Sequence, residues 1–74
     1  MNPGYFTLSG RKLVKIFKKF GYEKVSQKGS HIKMKHEKTG KTVIIPDHKE
    51  LDRRTLKTIL KQADISEERF REYS

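Results

Sequence analysis

Two stretches that repeat apolar residues every three or four positions flank one in which apolar and charged residues alternate. Leu13, Ile16, Phe17 and Phe20 stand at i, i+3, i+4 and i+7, and Leu56, Ile59, Leu60 and Ala63 repeat that spacing. Each set makes one stripe of an α-helix. Between them, Ile32 and Met34 alternate with His31, Lys33 and Lys35, the period of a strand with one covered face. Two amphipathic helices around a half-covered sheet admit few solutions, because each apolar face has to be buried against another element.

The punctuation sharpens the elements. Ser9 is suited to cap the first helix and Gly21 to end it, with Arg11, Lys12, Lys15, Lys18 and Lys19 on the solvent side. Tyr22 to Lys28 reads as a strand with Val25 its clearest inward residue, and Gly29 offers a turn into the next strand. Glu37 to Gly40 makes a hairpin loop, Thr42 to Ile45 a third strand rich in β-branched residues, and Pro46 ends the sheet because it lacks an N–H. Asp52 caps the second helix, Asp64 and Ile65 break it, and Ser66 caps a short last helix whose Phe70 and Tyr73 close the core. The expected class is α+β, ordered α-β-β-β-α with a short C-terminal helix, its three-stranded antiparallel sheet covered by helices on one face. Residues 1–74 are expected to form a single domain, with 1–8 as a leader from which Tyr5, Phe6 and Leu8 can dock on the core.

Charge narrows the partners. The chain has 74 residues, no cysteine and a net charge of +9, so neither a disulfide nor a thiolate metal site staples this small core. The excess is confined to one part: Gly10 to Lys41 has 11 basic and two acidic residues, whereas Thr42 to Ser74 has seven of each. A polyanion suits such a field. The apolar runs fall far short of the roughly 20 residues that span a bilayer, and no signal-peptide pattern opens the chain, so a membrane partner is not expected and a cytoplasmic location is.

His31 is the sharpest candidate for chemistry. Imidazole exchanges protons near neutral pH, and the alternation puts this one on the wet face with Lys33 and Lys35, near Lys28. Such lysines would bring RNA phosphates to the ring. In RNA cleavage a base takes the proton of a 2′-hydroxyl, which attacks the adjacent phosphorus, and an acid protonates the departing 5′ oxygen; His31 fits either role. Gly29 lets backbone approach a phosphate, and the Ser30 hydroxyl can orient an oxygen or the histidine. His48, in the loop after the third strand, is an accessory candidate, while His36 shares the inward parity of Met34 and reads as structural. Arg53, Arg54 and Lys57 gather at the second helix start, where the dipole also favours an anion. No histidine pair has metal-ligand spacing and no carboxylate cluster accompanies them, so no metal or other cofactor is expected. The rival to an RNA-cleaving enzyme is a non-catalytic RNA-binding module of the same fold.

Five stretches in register resemble one family. Ser9-Gly10-Arg11-Lys12-Leu13-Val14-Lys15, Phe20-Gly21-Tyr22, Gln27-Lys28-Gly29-Ser30-His31, Pro46-Asp47-His48 and the run from Thr55 to Ala63 fall in the order and spacing of HicA toxins. The resemblance implies a double-stranded-RNA-binding-domain-like fold and an mRNA interferase silenced by a HicB antitoxin that covers its active surface. It also implies that His31 is the catalytic histidine, through Gly29-Ser30-His31, and that His48 belongs to a Pro-x-His element. The leader is longer than is usual in that family, and Arg54 stands where a glycine commonly precedes Thr-Leu.

Overall fold

A computed structural model describes residues 8–73. In chain order its elements are α1 (Gly10–Lys19), β1 (Tyr22–Lys28), β2 (His31–His36), β3 (Thr42–Pro46), α2 (Arg53–Gln62) and α3 (Glu67–Tyr73). The strands form an antiparallel sheet in the order β1-β2-β3, so the most alternating strand is central. This is the α+β, double-stranded-RNA-binding-domain-like arrangement expected from the sequence.

Both long helices begin as their caps dictate. Ser9 Oγ accepts from the Lys12 N–H at 3.1 Å, and Asp52 Oδ1 accepts from the Thr55 N–H at 2.7 Å. These bonds satisfy donors that no helical carbonyl can reach. Gly21 ends α1 with φ of +95°, and a Cβ there would lie 2.7 Å from His36 Nε2, so both backbone angle and space require glycine. Asp64, at φ +60°, makes the break between α2 and α3, where it pairs with Lys41 at 3.6 Å.

One core joins the layers. Leu13, Ile16 and Phe17 from α1 and Leu56, Ile59 and Leu60 from α2 are buried with Tyr22, Ile32, Met34, Val43 and Ile45 from the sheet, and Phe70 of α3 is wholly enclosed. Each such side chain contributes roughly 1.5–3 kcal/mol of burial, which a domain of this size needs from nearly every one. Tyr73 stays at the surface and meets Phe20 edge-on, with centroids 4.6 Å apart. Burial first, and then the Asp64 carboxylate, push the Tyr22 phenol above its usual 10.0.

Two expectations need correction: Val25 does not face inward, and Tyr73, 38% exposed, does not help Phe70 close the core. Val25 points to solvent and is 52% exposed, because a β-bulge interrupts β1: Lys24 pairs with Met34 and Ser26 with Lys33, leaving Val25 as the extra residue. Tyr22 is the only residue of β1 that the helices bury. Leu8 docks on the core as the sequence allows, and its carbonyl accepts from the Leu51 N–H at 2.7 Å. Tyr5 and Phe6 lie outside the described residues.

Candidate active site

The sheet face turned away from the helices carries the candidate residues. Across the strands, Lys28 pairs with His31 and His31 with Pro46; the next row is Ser26, Lys33 and Ile44, and the next Glu23, Lys35 and Thr42. Opposed residues of antiparallel strands project to one side with Cβ atoms about 5 Å apart, so Lys28 stands beside the His31 ring. Lys33 follows on the same face about 7 Å along the strand. His31, Lys28, Lys33 and Lys35 are all exposed, as the alternation requires.

A tight turn aims the histidine. Only Gly29 and Ser30 separate β1 from β2, and of the two only Gly29 has a positive φ, +57°, the pattern of a type II′ hairpin turn. A Cβ built on Gly29 would meet nothing within 4 Å, so the backbone here is open to a bulky anion. From beneath, the turn is tied down. The Ser30 carbonyl accepts from the Asp47 N–H at 2.7 Å, and Gln27 Nε2 donates to the Gly29 carbonyl at 3.0 Å and to Asp47 Oδ2 at 3.5 Å. Asp47 Oδ1 in turn accepts from Arg11 Nε at 3.3 Å, which joins the turn to α1. Local sequence assigns no such role to Arg11, Gln27 or Asp47; the one signal is an acid placed between Pro46 and His48 after an otherwise basic stretch.

The remaining candidates separate clearly. The loop after β3 brings the His48 backbone to the His31 end of the sheet, where its carbonyl accepts from the Gly10 N–H at 2.9 Å and its side chain is exposed. His36 is structural: its Nδ1 accepts from the Lys38 and Thr39 N–H groups at 3.1 and 3.2 Å, and its ring meets Tyr22 edge-on at 5.0 Å. Arg53, Arg54 and Lys57 are not brought to His31. They project from α2, in the helical layer, and line a separate shallow cavity of about 490 Å³ with Thr58 and Lys61. The helix N-terminus beside them is already occupied by the Asp52 carboxylate, which the Thr55 N–H and hydroxyl hold below the usual carboxylate range. Among the described residues, no group of three or more histidine, cysteine or acidic side chains has a metal-binding arrangement.

A family model described as the HicA toxin of bacterial toxin-antitoxin systems matches residues 10–65, from the first residue of α1 to the end of the turn after α2. The chain belongs to the HicA toxin family. It is thus the toxin half of a toxin-antitoxin pair, and an antitoxin is its counterpart. The HicA match contains His31, His48 and every candidate cation, whereas α3 lies beyond it. No curated protein matches the chain. Among the described residues, no helix is long and apolar enough to cross a membrane.

Proposed function

We propose that this HicA toxin is a cytoplasmic endoribonuclease that cleaves mRNA by acid-base catalysis at His31, without a metal, and that a HicB-type antitoxin silences it. The observation that carries the reading is the position of the His31 ring: on the open sheet face, opposite Lys28, next to Lys33, and directly after a two-residue turn braced by Asp47. A phosphodiester held by these lysines and by the exposed backbone at Gly29 presents its ribose to the imidazole. His31 then takes the proton of the 2′-hydroxyl as that oxygen attacks phosphorus, or gives a proton to the 5′ oxygen as its bond to phosphorus breaks. Ser30 orients a phosphate oxygen, and His48 is the accessory candidate for the second transfer. The whole chain, residues 1–74, acts as one HicA domain, and Arg53, Arg54 and Lys57 add RNA affinity from the α2 side.

Purified protein and its His31→Ala variant test the reading on a defined RNA with EDTA present. Cleavage should fall about 10²- to 10⁴-fold while RNA binding persists. Equal cleavage by the two proteins removes His31 from the mechanism, and loss of cleavage on EDTA treatment of the parent protein removes the metal-free chemistry.

A further inference from the structure

Apart from Arg11, the outer side of α1 has no part in the chemistry above, yet it is strongly cationic. Its ten residues include five lysines or arginines and no acid. Arg11, Lys12, Lys15 and Lys19 line a furrow of about 570 Å³ whose far wall is Tyr73 of α3, and among the described residues no acidic side chain lines it. Residues four apart on a helix advance about 6 Å, so Arg11, Lys15 and Lys19 form a ladder with steps comparable to the spacing of phosphates along a nucleic-acid strand. At Lys19 and Tyr73 the furrow meets a second cavity, of about 400 Å³, that is bounded by Phe20 and Arg69. There the Arg69 guanidinium lies 5.6 Å from the centre of the Phe20 ring.

The furrow begins where the candidate active site ends. Pro46 pairs with His31 across the sheet, and the same segment meets α1 on its other side: the Gly10 N–H donates to the His48 carbonyl, and Arg11 pairs with Asp47. We propose that this furrow is a second RNA-binding surface, which carries a single-stranded segment continuous with the one at His31 after it rounds the Pro46–His48 corner. Cations in line with an exposed tyrosine match single-strand recognition, in which phosphates track a basic groove and bases stack on aromatic rings. A duplex keeps its bases stacked within itself and gains nothing from Tyr73. α3, which supplies the Tyr73 wall, lies beyond the matched residues 10–65. The proposal rests on the ribonuclease reading for its substrate and adds a place where that substrate is held.

The test uses full-length His31→Ala protein, which keeps the RNA intact, with and without Lys12→Gln, Lys15→Gln and Lys19→Gln together. A third protein combines His31→Ala with Lys28→Gln, Lys33→Gln and Lys35→Gln, and circular dichroism checks that each is folded. Binding of a single-stranded RNA of about 12 nucleotides is followed across a salt series. Losing three phosphate contacts should lower the slope of log K against log salt by about two and weaken binding about tenfold or more at low salt. Tyr73→Ser should weaken single-stranded RNA binding without altering that slope. Unchanged affinity and slope in the α1 variant, while the sheet-face variant binds poorly, overturns the furrow and leaves the ribonuclease reading standing. No salt-sensitive RNA binding by the His31→Ala protein itself overturns both. An α1 variant that loses only its grip on an acidic protein partner also overturns the proposal.

Discussion

Gly10 and Pro46 meet backbone to backbone: a Cβ on Gly10 would strike the Pro46 carbonyl oxygen and come within 3.1 Å of the Asp47 Cα. The contact seats the start of α1 against the segment that pairs with His31. Neither partner can rotate away, since both are main chain. Gly10→Ala should therefore cost about 1–3 kcal/mol, as overpacking does, although alanine is the better helix former. Chemical denaturation reads the loss; an equally stable variant would show that α1 can shift without penalty.

Asp47 is a positioning residue in the proposed mechanism. Asp47→Ala removes the acceptor shared by Arg11 and Gln27 and should lower stability by no more than about 1 kcal/mol, because Arg11 is largely exposed. Its effect on cleavage should be larger and confined to kcat, with RNA affinity equal or higher because a negative charge is lost. Asp47→Asn, which keeps an oxygen for Arg11 and Gln27, should recover part of kcat. A variant altered only in KM would place Asp47 in RNA binding instead.

Phe70 is wholly enclosed, although α3 lies beyond the family match. Truncation to alanine removes the largest contact of α3 with the core and should cost about 3–5 kcal/mol. That is much of the stability expected of a chain this short, roughly 0.05–0.15 kcal/mol per residue. Loss of the cooperative thermal transition at moderate temperature is the expected result. A small shift in Tm would mean that α3 docks only loosely.

Acid should weaken the fold in part through α2. The Thr55 N–H and hydroxyl hold the Asp52 carboxyl below its ordinary 3.8, so it binds a proton less readily folded than unfolded. Its contribution is complete above the ordinary carboxylate range and is lost as the pH falls through the lowered folded value. The Tm gap between the parent and Asp52→Ala should be open at about pH 7 and nearly closed at about pH 2. A constant gap would show that the cap acts without its charge.

Much of this fold was legible because its periods are distinct. The i, i+3, i+4 stripes at Leu13, Ile16 and Phe17 and at Leu56, Ile59 and Leu60 cannot be read as alternation, and Ile32 and Met34 cannot be read as a helix. β1 hides its inward face because it offers a single aliphatic residue, Val25, and a bulge resets its parity there. His31 could be set on the open face from local alternation alone. The brace beneath it could not: Arg11 and Asp47 are 36 positions apart and Gln27 and Asp47 are 20, and no local repeat encodes such a meeting. The α2 cations were grouped correctly with one another, but sequence could not tell that the helix would carry them in the other layer from His31.

The extra residue at Val25 has a bearing on how copies of this protein coexist. β1 is an outer strand, and an unpaired strand edge invites templated addition by a neighbour. Inserting one residue breaks the even beat of donors and acceptors, and Lys24 and Lys28 on either side repel a second chain of the same charge. Self-association into ribbons is thereby discouraged at this margin of the sheet.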